Sequence, residues 1–240
     1  GEPQGMICGA RNFKQGDLVV VSLPGAVLPG GFEISARETY DHISAGMMAS
    51  AAELGLAAKS EGIITLHDGS ATPGQDAREI LGSDDTVFDV NVTPDRGYAL
   101  SARGLTREIA SAFDLEFSDV AQDPSIAGID ISGVPAPSGE TIAVSVEEST
   151  KAKRFGVRTV EGIEPNATAP FWMQRELMLA GVRSVNAATD VTNYVMLLTG
   201  QPMHAFDADK IAGGLRVHNA ADGEKFETLD HVERTLTAED

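Results

Sequence analysis

The sequence predicts an α+β protein of several parts, on three observations. Residues 1–57 alternate short β-branched runs with dense Gly and Pro, two stretches near 101–113 and 170–199 carry helical spacing between recognisable caps, and the chain beyond 215 returns to short runs separated by Asp and Gly. Segregated strands and helices of this kind differ from the strict alternation that makes one doubly wound parallel sheet.

Residues 17–23, Asp-Leu-Val-Val-Val-Ser-Leu, form a β-branched run bounded by Gly16 and Pro24-Gly25, the pattern of a short buried strand. Pro24, Gly25, Pro29, Gly30 and Gly31 then exclude a helix and predict strands joined by tight turns, as at the rim of a small barrel. A short helical stretch near Ser50–Leu56 closes this part. The second part begins near Gly62, passes a loop at Ala71–Gln75 and reaches a strand predicted over Val87–Thr93, stopped by Pro94-Asp95-Arg96-Gly97. Ser101 is a suitable N-cap for a helix to Phe113, with Leu105, Ile109 and Phe113 along one face. Residues 119–140, rich in Pro and Gly, read as a linker. Thr141–Val146 and Arg154–Val160 are strand candidates, Pro170 opens a helix that Gly181 closes, and a second helix runs from Ala187 to Thr199 and ends at Gly200. Val191, Val195 and Leu198 are spaced for one buried face of it. Leu215–Asn219, Glu224–Leu229 and Arg234–Leu236 complete the β-rich tail.

Composition narrows the function. The formal net charge is −18, from 36 acidic and 18 basic residues, so the chain as a whole repels a phosphate backbone. Local basic clusters such as Lys151, Lys153, Arg154 and Arg158 run against that balance, although such clusters are ordinarily solvated surface. The single Cys8 excludes an internal disulfide and multi-cysteine zinc sites, fits a reducing cytoplasm, and reads as a small buried apolar side chain. No apolar run is long enough to cross a bilayer as a helix. Both ends read as cuts within a longer chain.

The Walker loop, the dinucleotide Gly fingerprint and the His-Glu-x-x-His helix are absent. Asp84 and Asp85 read as surface loop, and His42, His67, His218 and His231 have no paired ligand at helical spacing. The unusual stretch is Ser184–Asp207. Asp190, Thr192 and Asn193 interrupt a helix that could be apolar, and side chains of this kind compete for helical backbone bonds. Pro202 forces the chain out of the helix and brings His204 between Met203 and Phe206, where an imidazole is either a satisfied core group or part of a pocket wall.

From Arg183 to Asp207 this stretch closely resembles the editing-domain signature of bacterial phenylalanyl-tRNA synthetase beta subunits. Cys8-Gly9-Ala10-Arg11-Asn12 and Leu23–Phe32 resemble that family's tRNA-binding barrel, and Val92–Arg96 with Arg103–Glu108 resemble its connecting domain. Departures are small: Ala187, Ala188 and Leu198 in the signature, and Gly97-Tyr98-Ala99 in the connector.

The resemblance implies an OB-type barrel, partial, over residues 1–60, a small mixed α/β connecting domain over 61–120, a linker over 121–140 and the first half of a mixed α/β editing domain over 141–240. It implies a subunit of an α2β2 tetramer that, complete, joins L-phenylalanine to tRNA(Phe) with ATP and Mg2+. This part would contribute tRNA contact and hydrolysis of tyrosine wrongly attached to tRNA(Phe), and would not aminoacylate. No cofactor or metal is expected on it, nor DNA or a membrane as partner, and its place is the cytoplasm. Matching motif positions put His204, Thr192, Asn193 and Pro202 in the editing pocket. His204 falls to the terminal ribose or the attacking water, as a positioning group first. The competing readings are a non-catalytic RNA-binding or assembly module with an editing-like fold, and an unrelated hydrolase built on His204.

Overall fold

Val20 is where the first strands meet. In the computed structural model, which describes residues 3–57, 59–66, 69, 71–82, 85–165, 167–228 and 230–240, the predicted run 17–23 is two short strands, β1 (Leu18–Val19) and β2 (Val21–Ser22). They are followed by β3 (Val27–Leu28), β4 (Phe32–Glu33), β5 (Arg37–Thr39), β6 (His42–Ser44), β7 (Met47–Met48) and β8 (Thr65–Leu66). The run divides because it changes partner: β1 pairs antiparallel with β8, and β2 pairs antiparallel with β7. At the change, the Val20 carbonyl accepts from Ala49 N at 2.9 Å, and Ile64 N donates to the Ala49 carbonyl at 2.9 Å. Val20 and Ala49 are buried there.

The tight turns fall where Gly and Pro demand them. β3 and β4 pair across Pro29-Gly30-Gly31, with both glycines at positive φ, a conformation that costs Gly little. β5 and β6 pair across Tyr40-Asp41, both also at positive φ, the two-residue hairpin geometry reached here without glycine. The helix expected near Ser50–Leu56 is instead a series of turns. The Glu53 carboxylate takes both the Ser50 amide and the Ser50 hydroxyl, and Gly55 at positive φ breaks any continuation. Among the described residues these strands form two-stranded pairs and no closed barrel.

The chain divides into two units, Gly1–Gly128 with Asn166–His204, and Ile129–Pro165 with Ala205–Asp240. In the first, α1 (Ala77–Leu81) starts at Asp76, whose carboxylate accepts from Arg78 N at 2.9 Å. α2 (Ala102–Ala112) starts at Ser101 as its composition predicts, with Ser101 Oγ accepting from Gly104 N at 3.1 Å. The face of α2 that is buried is not the predicted one. Ile109 and Phe113 are exposed, while Ser101, Gly104 and Ala110 are buried. Small residues let the backbone come close: a Cβ on Gly104 would sit 1.9 Å from the Tyr98 carbonyl. Arg103 grips Asp119 through two bonds of 2.6 Å and so ties α2 to the chain that leaves it.

Val87–Thr93 is no strand. Phe88 is 81% exposed, and a β pattern without a neighbouring strand to complete its hydrogen bonds stays outside any ladder. Arg154–Val160 likewise joins no sheet. His67, Asp84 and Leu229, on which other expectations fell, lie outside the described residues.

α3 (Phe171–Leu179) and α4 (Ala187–Thr199) complete the first unit. Phe171 joins Val20, Ala49, Leu66 and Leu81 in one buried cluster. Arg175 of α3 donates to the Leu81 carbonyl at the end of α1 at 2.9 Å and pairs with Asp85 at 2.6 Å. In the second unit, β9 (Val144–Val146) pairs parallel with β10 (Leu215–Val217), and β11 (Lys225–Glu227) pairs antiparallel with β12 (Glu233–Thr235). No described helix is long and apolar enough to cross a membrane.

Two measurements test this packing. Replacing a mid-helix glycine by alanine ordinarily stabilises by about 1 kcal/mol, but Gly104→Ala is expected to lower stability by about 1–3 kcal/mol through the clash with Tyr98. A urea midpoint that rises would refute the close approach. The Arg103 guanidinium holds the Asp119 carboxyl down at about 2. A carboxyl depressed on folding stabilises above its unfolded value near 4 and loses that contribution as pH falls toward 2. The stability gap between the wild type and Asp119→Asn is therefore expected to shrink from pH 4 to pH 2, and a gap constant across that window would remove the ion pair from the account.

Candidate functional site

The helical pair α3–α4 is set by how its connection is closed. α3 stops at Gly181, which takes positive φ, while Val182 N reaches back to the Leu177 carbonyl at 2.8 Å and Gly181 N to the Met178 carbonyl at 3.0 Å. α4 opens at Asn186, whose Oδ1 accepts from Thr189 N at 3.0 Å. Asp190, in the first turn of α4, is fully buried. Its two carboxylate oxygens accept from Ser184 Oγ at 2.6 Å and from Val185 N at 2.8 Å, so the connecting turn is held onto the helix by a buried acid.

The buried stripe of α4 is consequently shifted from the expected one. Asp190, Tyr194 and Leu197 share a face, and the latter two pack on the cluster of Ala169, Met173 and Leu177. Val191, expected to be buried, is exposed, and Val195 and Leu198 are half-buried. Trp172 of α3 meets the Tyr194 ring edge to face at 5.3 Å and 85°. Burial, with the Glu176 carboxylate as a second cause, pushes the Tyr194 phenol above its ordinary value.

Thr192 and Asn193 are both half-buried on α4. The Thr192 hydroxyl donates back to the Thr189 carbonyl at 2.7 Å, which fixes its rotamer and leaves its lone pairs available to a ligand. α4 ends at Gly200 with φ 82°, and a Cβ there would lie 3.2 Å from Ser101 Oγ. Pro202 and His204 follow, both exposed, so the core-histidine reading of His204 is set aside. Along the helix axis Thr192 and Gly200 stand about 12 Å apart at 1.5 Å per residue. The four residues thus lie on one helix and the segment leaving it, in two groups.

The oddity of a carboxylate in a helix was the one sign of the Ser184–Asp190 clamp before the fold was known, and sequence reasoning did not find the clamp itself. Nor did it show a cavity of about 360 Å³ among the early strands, lined among others by Cys8, Met47, Met48, Glu53 and Glu61. Cys8 is half-buried on its wall, not sealed in a core. Among the described residues no three His, Cys, Asp or Glu side chains gather as a metal site.

Comparison with known proteins finds two kinds of similarity. The B3/4 domain family matches residues 151–240, a span that takes in α3, α4 and all four candidate residues. Along its whole length the chain is also homologous to a segment of curated phenylalanine–tRNA ligase beta subunits, aminoacyl-tRNA synthetase components. It is 69% identical over 241 residues to that of Corynebacterium diphtheriae, covering all of this chain and 29% of the relative. It is 54% identical to that of Thermobifida fusca over 240 residues, covering all of this chain and 28% of the relative. It is 48% identical to that of Mycobacterium leprae over 236 residues, covering 98% of this chain and 28% of the relative. The chain thus spans under a third of the length of these relatives.

The clamp yields a stability test. Asp190→Ala takes the acceptor from the half-buried Ser184 hydroxyl and from the Val185 amide and is expected to cost about 1–3 kcal/mol. Asp190→Asn keeps one acceptor oxygen and should cost less. Chemical denaturation that ranks the two variants equally would show that the carboxylate does not hold the turn.

Proposed function

We infer that this chain serves as the tRNA-contacting and editing part of a phenylalanine–tRNA ligase beta subunit, and that its α4 segment hydrolyses tyrosine wrongly attached to tRNA(Phe). The observation that carries the reading is the conjunction of the B3/4 match over residues 151–240 with similarity along the whole of this chain to one segment of these subunits. In that reading residues 1–60 are a partial OB-type barrel, 61–120 a connecting domain, 121–140 a linker and 141–240 the first half of the editing domain. The complete enzyme is an α2β2 tetramer in the cytoplasm. ATP and Mg2+ belong to its aminoacylation reaction.

A second site answers a physical problem. Tyrosine is phenylalanine plus one hydroxyl, and an apolar pocket rejects an added hydroxyl by only about two orders of magnitude. A site that gives the phenol a hydrogen bond reverses the preference, because phenylalanine leaves its buried polar groups unpaired. His204, exposed beyond the end of α4, is assigned to the terminal ribose or the attacking water as a positioning group. Thr192 and Asn193 are assigned to the ester and the amino acid, and Pro202 to the adjoining wall. The spacing between Thr192 and the end of the helix supports a ligand of aminoacyl-nucleoside size over a small ion.

The test is deacylation of tyrosyl-tRNA(Phe) by the full-length ligase and its His204→Ala form at matched tRNA binding. Hydrolysis is expected to fall at least about 10-fold with aminoacylation intact, the scale of a lost positioning group. Unchanged hydrolysis would favour the non-catalytic RNA-binding module.

A further inference from the structure

In the second unit half of the eight Lys and Arg side chains are already neutralised. Arg216 pairs with Glu147, Lys210 with Asp207 at 3.1 Å, Lys225 with Glu233 at 2.6 Å and Arg234 with Asp230 at 2.8 Å. The stretch 149–160, Ser-Thr-Lys-Ala-Lys-Arg-Phe-Gly-Val-Arg-Thr-Val, is different: it holds four cations and no carboxylate, in a chain of net charge −18. Lys151, Lys153, Arg154 and Arg158 are all exposed. Arg158 is fixed by a neutral group, its Nη2 donating to the Pro135 carbonyl at 2.9 Å, so its position is held and its charge is not cancelled. Residues 152–160 belong to no helix or ladder. Among these cations stands Phe155, 41% exposed, beside Gly156, above which the space is open.

We propose that Lys151, Lys153, Arg154, Phe155 and Arg158 form a contact strip for single-stranded RNA, the cations meeting phosphates and the Phe155 ring stacking on a base. The chemistry is that of sequence-tolerant single-strand binding, a cationic track with an aromatic platform. It rests on the reading above that RNA is this chain's ligand. From Lys151 to Arg158 an extended chain would reach about 23 Å at 3.3 Å per residue, room for a few nucleotides. A strongly acidic molecule has to place its phosphate contacts where its cations outnumber its carboxylates locally, and here four cations stand between the flanking Glu148 and Glu161.

The experiment is fluorescence anisotropy of the 240-residue chain with a labelled twelve-nucleotide RNA ending in CCA, from 50 to 200 mM salt. Lys151→Gln/Lys153→Gln/Arg154→Gln is expected to weaken binding at 50 mM at least 10-fold. It should also flatten the salt slope by about 2, at roughly 0.7 per lost phosphate contact on a single strand. Phe155→Leu is expected to weaken binding about 10-fold with the slope unchanged, since stacking releases no counterion. The charge-matched control Lys210→Gln/Lys225→Gln/Arg234→Gln should bind as the wild type does. Equal losses in control and triple variant would overturn the strip and leave only bulk charge. Wild-type binding with an unaltered triple variant would overturn the strip while RNA remains the ligand. An RNA-blind wild type would remove both readings. Equal affinity for vesicles of anionic phospholipid, lost in the same variant, would replace RNA by a membrane surface.

Discussion

The burial of Phe171 among Val20, Ala49, Leu66 and Leu81 is the contact on which the first unit depends. These side chains come from the early strands, from the end of α1 and from the first residue of α3, so one apolar cluster joins segments some 150 positions apart. Burying one such aromatic side chain is worth about 2–3 kcal/mol, and the polar bonds of Arg175 to Leu81 and Asp85 add direction to a contact that hydrophobicity alone leaves unoriented. α4 then follows α3 through the Asp190 clamp, and the candidate residues ride on α4.

Much of this order was legible in the chain. The bounds of α4 and its stop at Gly200 were readable, as were Ser101 before α2 and Gly181 after α3, while the Asn186 cap of α4 came from the structure. These signals are local, and local signals survive tertiary context. What failed was the choice of face. Apolar spacing placed Leu105, Ile109 and Phe113 inward on α2, yet the close approach of backbones selected Gly104 and Ala110. On α4 the apolar Val191 is exposed and the charged Asp190 is fully buried, because the turn before the helix offers a hydroxyl and an amide to its carboxylate. A hydrophobicity pattern carries no information about such partners.

The strands show the same limit from the other side. Val87–Thr93 alternates as a strand should, but alternation describes a residue's two faces and not the neighbour that must complete its hydrogen bonds. The candidate site was legible as a set of names through the resemblance. Its spatial division, half-buried Thr192 and Asn193 on α4 and exposed Pro202 and His204 beyond its end, needed the fold.

The parallel pairing of β9 with β10 joins Val144 to Leu215, and the chain between them leaves the second unit to build α3 and α4 in the first. A ribosome therefore releases β9 long before its partner exists. Closing so long a connection as free coil carries an entropic cost that rises with the logarithm of its length, while prior folding of the intervening helices shortens the slack. Connectivity thus leaves β9 without its partner strand until residue 215 has been made, by which time the sequence of both helices is complete, and this is the interval in which a chaperone or a neighbouring nascent chain has most opportunity to reach it.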